Sequence, residues 1–192
     1  LKTDQTLSGP VEAFLAAGPA PVYFGFGSMS TREQDALVEL IQASLKLIGQ
    51  RGILTGFRFE ESRFTNSESW IFVREAPHPQ LFIRLAAVVH HGGSGTTATA
   101  ARAGVPQIIV PHILDQYYWG ERVYRCGLGP KPIRRYQLTA ERLASAINKT
   151  VSGQRYYDRA SRVAEKIKRQ DSQRLAVEYL EQTYFHSAGG RG

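Results

Sequence analysis

Apolar residues recur along the chain in two rhythms. Short, nearly unbroken runs stand at Val22–Phe26, Gly52–Gly56, Trp70–Val73, Ala86–Val89 and Gln107–Val110, and the extended segment Pro130–Ile133 reads as a last strand. Runs of this length without alternation predict strands covered on both faces. Between them the apolar positions fall at helical spacing. The clearest case is Thr31 to Gly49, with Leu37, Leu40, Ile41, Ser44, Leu45 and Ile48 on one face. Further helices are predicted at Pro79–Leu85, Thr96–Ala103, Tyr117–Cys126, Thr139–Val151, Arg155–Lys168 and Ser172–Tyr184. Strands alternating with helices specify an α/β fold, a Rossmann-like doubly wound parallel sheet of about six strands. Residues 1–21 read as a leading linker segment holding one amphipathic stretch, Pro10–Ala17. Residues 22–186 form the domain, and 187–192 read as a disordered tail.

Composition changes this picture little. The 192 residues suit one domain, with 42% hydrophobic and 21% charged residues. No apolar run approaches the ~20 residues needed to span a bilayer, and Leu1–Asp4 has no signal-peptide core, so the expectation is a soluble, cytoplasmic chain. Cys126 is the single cysteine, which excludes an internal disulfide and favours a reducing compartment. The net charge of +7 is spread over Lys131–Arg135 and Arg155–Arg174 among acidic residues, without a nucleic-acid motif. Nucleic acid is therefore not expected as a partner. Solvated helix faces account for the basic residues, and a weak attraction to an anionic membrane surface is the alternative.

The candidate chemistry lies between Ala86 and Gln116. A buried strand ends in His90 and His91. Gly92, Gly93, Ser94 and Gly95 then turn the chain into an Ala-rich helix that Gly104 stops. Such a helix start offers unpaired N–H groups and about half a positive charge, which suits a phosphate or diphosphate. A glycine-rich connection also occurs for purely structural reasons. Two features favour a ligand: the histidines add donors, and the strand at Gln107–Val110 delivers Asp115 and Gln116 to the same sheet edge, where open α/β sheets bind their ligands. An anion site beside a hydroxyl-binding pair suits a nucleotide sugar. Asp115 is equally suited to capping the following helix, and Tyr117, Tyr118 and Trp119 read as helix packing more than as sugar-stacking rings.

This block, together with Pro77-His78 before it and Tyr118-Trp119-Gly120 after it, resembles the donor-binding signature of family 1 glycosyltransferases. The resemblance covers roughly Val22 to Gly129. It looks closest to the sterol glucosyltransferase branch and is similar also to bacterial enzymes that glycosylate antibiotic aglycones. It implies the donor-binding half of a GT-B fold and inversion at the anomeric carbon by direct displacement. It also implies a base held on a second, N-terminal acceptor-binding domain, in the same or another chain. By the resemblance, Ser28 approaches the diphosphate, although a helix-cap role fits it equally. Ala76 holds the base or ribose through its backbone and His78 through its side chain. His91, Gly93, Ser94, Gly95 and Thr96 hold the diphosphate, and Asp115 and Gln116 hold the sugar. His90 falls to packing. The tryptophan that plant members place near Glu75 is missing here, which leaves the nucleotide base open.

The implied donor is UDP-glucose or a related nucleotide sugar, and the acceptor a lipophilic hydroxyl such as a sterol's. No catalytic residue is expected in this chain, so it should bind donor without turnover. No Asp-x-Asp pair or His/Cys ligand spacing is present, so neither a metal nor another cofactor is expected. Alternatives remain: a subunit of a split two-chain glycosyltransferase, an antibiotic-tailoring enzyme using a dTDP- or UDP-sugar, or a nucleotide-sugar-binding module without transfer. A dinucleotide-binding reading fails because Gly25-Phe26-Gly27-Ser28-Met29-Ser30 lacks the third glycine of that fingerprint.

Overall fold

The computed structural model describes residues 6–26, 31–56, 65–169, 177 and 179. In chain order the elements are α1 (Gly9–Ala16), β1 (Val22–Gly25), α2 (Thr31–Ile48), β2 (Gly52–Thr55), β3 (Trp70–Val73) and α3 (His78–Phe82). There follow β4 (Ala87–His90), α4 (Ser94–Ala103), β5 (Gln107–Ile109), α5 (Leu114–Arg125), α6 (Ala140–Val151) and α7 (Gln154–Arg169). The turn with Ser28, the helix expected at Ser172–Tyr184 and the tail at 187–192 lie outside the described residues.

The strands form one parallel sheet in the order β3-β2-β1-β4-β5. Strand residues alternate between two apolar layers, which is why the runs are hydrophobic throughout. Val22, Phe24, Leu54, Val89 and Ile108 point to a layer filled by Leu37, Val38, Ile41 and Leu45 of α2 and by Leu143 and Ile147 of α6. Tyr23, Ile53, Ile71 and Val88 point the other way, towards Leu81 and Phe82 of α3 and Ala100 of α4. Each fully buried large aliphatic or aromatic side chain contributes about 1.5–3 kcal/mol. The leading segment docks on this second layer: Val11, Phe14 and Leu15 of α1 are buried, and Arg51 lies 3.9 Å over the Phe14 ring while donating to the Phe14 and Pro19 carbonyls.

Five strands are present among the described residues, where about six were expected. Residues 130–133 run beside β5 but make no ladder. The Gln107 N–H donates to the Leu128 carbonyl (2.8 Å) and the Ile133 N–H to the Ile109 carbonyl (2.9 Å), while Pro130 and Pro132 between them have no N–H to offer. Helix ends shift by a few residues. α4 begins at Ser94 and not Thr96, with Gly93 as its N-cap, and ends at Gly104 in the left-handed conformation (φ 71). α5 begins at Leu114, which places Asp115 and Gln116 inside its first turn. Tyr117 and Tyr118, expected to pack, are 44% and 59% exposed, because only Gly120 and Val123 of α5 face the core.

Candidate functional site

The strand order reverses between β1 and β4, and the carboxyl ends of the two strands pair there, Gly25 opposite His90. At such a switch point the following loops diverge and leave a crevice. The loop after β4 is His91-Gly92-Gly93, and three features of it shape the site.

His90 is fully buried and holds the loop from below. Its Nε2–H donates to Gln107 Oε1 (3.0 Å) and its Nδ1 accepts from the Gly92 N–H (3.2 Å), which makes it a neutral Nε2–H tautomer. Gln107 Nε2 in turn donates to the Thr97 carbonyl of α4 (3.3 Å). Burial lowers the His90 pKa to about 3, with Gln107 pulling the other way and nearby His91 and His78 adding to the fall. His90 is buried, as expected of a packing residue, but its hydrogen bonds also make it a positioning residue, and Gln107 is a partner the sequence analysis did not single out.

Gly92 adopts φ 94, a conformation only glycine takes readily. A side chain there would meet Ile109 Cγ2 at 2.9 Å and the Gln116 carbonyl oxygen at 3.0 Å, so the glycine turn lies directly against the start of α5. Gly93 serves a different contact. A Cβ on it would fall 2.6 Å from His91 Nε2, so the bare backbone lets the imidazole lie across the head of α4.

His91 is half-buried. Desolvation lowers its pKa, while the Gly25 carbonyl and the Asp115 carboxylate draw it back upwards. The Gly25 carbonyl is near but not in hydrogen-bonding geometry, so Nδ1 is a buried nitrogen without a partner. Beside it, α4 has no side-chain cap and no acidic residue in its first turn. The earliest backbone bond of this turn runs from the Thr97 N–H to the Gly93 carbonyl (3.0 Å), and the N–H groups before it are the unpaired ones that any helix start presents. Ser94 and Gly95 are exposed, and the space where Gly95 would carry a side chain is open for 4 Å.

α5 supplies the acidic and amide groups. Asp115 is exposed. Gln116 is partly committed: its Oε1 accepts from the His112 N–H (2.8 Å) and the Ile113 N–H (3.2 Å), which closes the first turn of α5. Its side-chain NH2 is the group left to a ligand. Asp115 is not the helix N-cap; Ile113 holds that position.

Ala76 and His78 lie past the end of β3. His78 is half-buried and stacks on Phe82 (4.6 Å). Thr55 Oγ1 donates to Tyr23 Oη (2.5 Å), which donates to His78 Nε2 (2.8 Å). Burial raises the Tyr23 pKa to about 12, against the lowering effect of Thr55, and burial also holds the His78 pKa below its ordinary value. The chain of bonds aims the remaining His78 nitrogen away from Tyr23. His91, Gly93, Ser94, Gly95, Thr96, Asp115 and Gln116 therefore meet at one crevice, and Ala76 and His78 border the same sheet edge. His112 joins them: it stacks on Phe26 (5.9 Å, 2°), lies 6.5 Å from the His91 ring, and approaches Arg135 at 3.5 Å. Its only sequence signal was its place between Pro111 and the Asp-Gln pair. No group of His, Cys, Asp or Glu among the described residues has the arrangement to hold a metal ion.

Residues 71–182 match the family model described as "Erythromycin biosynthesis protein CIII-like, C-terminal domain". The chain belongs to this family, the C-terminal, donor-binding domain of family 1 glycosyltransferases. The glycosyltransferase domain is 45% identical over 143 residues to sterol 3-beta-glucosyltransferase UGT80B1 of Arabidopsis thaliana, covering 72% of this chain and 23% of that protein. It is 40% identical over 150 residues to the vancomycin aglycone glucosyltransferase of Amycolatopsis orientalis, covering 77% and 36%. The structure of Os79 from O. sativa in complex with UDP shares its fold, with a TM-score of 0.76 at 21% identity over 92% of this chain and 44% of that one. Glycosyltransferase VinC in complex with dTDP superposes with a TM-score of 0.70 at 26% identity over 81% and 40%. The chain thus spans less than half the length of each of these relatives. Among its described residues no helix is long and apolar enough to cross a membrane.

Proposed function

We propose that this domain binds the diphosphate of UDP-glucose at the head of α4 and presents the glucose to a lipophilic hydroxyl, such as a sterol's, held by an acceptor-binding domain. The observation that carries the reading is the start of α4, which has no side-chain cap, beside the His91 imidazole, whose Nε2 faces Gly93. Together they offer several neutral donors and a partial positive charge to an anion, in a crevice at the sheet's switch point. Ser94, Gly95 and Thr96 contribute backbone N–H groups. His91 contributes a side-chain donor and Gly93 the room for it, while Ser28, outside the described residues, is assigned to the diphosphate by the family resemblance. Ala76 and His78 border the nucleoside, and Asp115 with the Gln116 NH2 receives the sugar hydroxyls.

In the reaction so assigned, the acceptor oxygen attacks the anomeric carbon from the face opposite the diphosphate. The carbon–oxygen bond to the diphosphate breaks as the new glycosidic bond forms, and the acceptor proton passes to a base on the acceptor-binding domain. The leaving diphosphate is stabilised by the fixed donors of α4, with no metal required. Residues of this chain bind and orient, and none of them acts on the acceptor proton. Kinship to sterol glucosyltransferases supports the lipophilic acceptor, and a cytoplasmic site of action suits a nucleotide-sugar donor.

A dTDP-sugar is the second reading, favoured by the kinship to the vancomycin enzyme and to VinC with its bound dTDP. Calorimetry with UDP, dTDP and UDP-glucose, with and without EDTA, tests both. Binding that survives chelation and prefers uridine supports the first reading. A thymidine preference moves the chain to the second, and no binding of any nucleotide overturns the assignment.

A further inference from the structure

A cleft of about 730 Å³ opens at the sheet edge opposite the donor crevice. Its position follows from Gly129, which seats against the first residue of β5: a Cβ there would fall 1.7 Å from the Gln107 carbonyl oxygen. Gly127, at φ 70, and Gly129 line one side without side chains, and the last turn of α5 and the first turns of α7 form the walls.

The walls carry Arg125, Arg155, Arg159 and Arg162 against one acidic lining residue, Asp158. Arg125 is paired with Glu121 (2.6 Å). The other three guanidiniums are held, where they are held, by neutral groups. Arg155 Nη2 donates to Tyr156 Oη (3.0 Å) and its guanidinium lies 4.8 Å over that ring, while Arg159 Nε donates to the Cys126 carbonyl (2.9 Å). Arg162 makes no hydrogen bond or ion pair among the described residues. Asp158 accepts from Gln154 (3.0 Å) and not from an arginine. Two guanidinium forks oriented by neutral groups, Arg155 and Arg159, with the unneutralised Arg162 beside them around a glycine-lined hollow, match an anion with several oxygens.

We propose that this cleft binds a phosphomonoester, presented either by an anionic lipid headgroup or by a soluble phosphorylated compound. The site is separate from the donor crevice and does not depend on the donor reading. It lies by the amino-terminal end of β5, whereas the donor crevice lies at the carboxyl ends of β1 and β4.

The test is a titration of the uniformly 15N-labelled chain with glycerol 3-phosphate, following amides by NMR. The Gly127 and Gly129 amides and the Arg159 Nε–H report on this cleft, and the Gly93 and Gly95 amides on the donor crevice, so failure of one site is distinguishable from failure of the other. The cleft signals should shift, with an apparent affinity about tenfold weaker in the Arg155→Gln/Arg162→Gln variant. That variant leaves the Arg159 anchor in place, and its own spectrum shows whether it folds. In parallel, wild type and variant are sedimented with phosphatidylcholine vesicles that contain or lack phosphatidate. Phosphatidate-dependent sedimentation lost in the variant assigns a lipid headgroup. Glycerol 3-phosphate binding without it assigns a soluble ligand. Cleft signals that stay still, or that shift equally in the variant, overturn the proposal.

Discussion

His90 and Gln107 face each other across the β4–β5 pair with Nε2 and Oε1 3.0 Å apart, both fully buried, and between them they tie the glycine turn to α4. Gln107→Leu removes the acceptor of a buried N–H and should cost about 1–3 kcal/mol. A melting temperature equal to wild type would show the pair to be dispensable.

The same pair sets an acid sensitivity. Buried neutral His90 has a folded pKa near 3, below the ordinary 6.5, so the unfolded chain binds the extra proton. The stabilisation is complete above about pH 6.5 and drains away as pH falls towards 3. Melting temperature against pH should show this limb, and His90→Gln, less stable at neutral pH, should show a shallower one. Parallel curves would remove His90 as the sensor.

Desolvation of the half-buried ring lowers the His91 pKa. A diphosphate beside it would raise its pKa, so UDP binding should take up protons and strengthen as pH falls from 8 to 6 beyond the change due to the nucleotide itself. His91→Ala should lose that extra dependence and about 1–3 kcal/mol of UDP affinity, with the melting temperature little changed. Calorimetry in buffers of different ionisation enthalpy reads the proton directly. An unchanged proton count in the variant would place His91 away from the phosphates.

Gly95 stands in open space in the first turn of α4 with an ordinary negative φ. Gly95→Ala should therefore fold at least as stably as wild type, helix propensity contributing up to about 1 kcal/mol. The added methyl would occupy the face assigned to the diphosphate, so UDP affinity should fall. Retained affinity would displace the anion from that face. Gly93→Ala, by contrast, must move the His91 ring.

Gln116 has two duties and substitutions separate them. Gln116→Ala removes the acceptor of the His112 and Ile113 N–H groups and should cost about 1 kcal/mol of stability. Gln116→Glu keeps the acceptor and loses the NH2 donor. It should melt near wild type yet lower the preference for UDP-glucose over UDP, as should Asp115→Asn. A ratio of affinities unchanged in both would take the pair out of the sugar site.

The order and type of the elements were legible in the chain, because a strand covered on both faces must be apolar throughout and an amphipathic helix must repeat near 3.6. Val22–Phe24, Ala87–Val89 and the α2 stripe obey these rules locally, with no knowledge of their neighbours. The glycine turn and the Asp-Gln pair were legible for the same reason: positive φ, helix starts and acceptor groups are properties of short stretches. What the tertiary structure alone decided depends on residues distant in the chain. Pro130 and Pro132 do not complete a sixth strand, since pairing needs N–H groups opposite β5. Gln107 reads as an ordinary strand residue until β4 and β5 align and set its amide against His90. His112 gains its meaning only from Phe26 and His91 beside it, and Gln116 acquires a capping duty only once α5 begins at Leu114. Periodicity is a one-dimensional property, whereas the partner of a buried polar atom is chosen by the packing of the sheet.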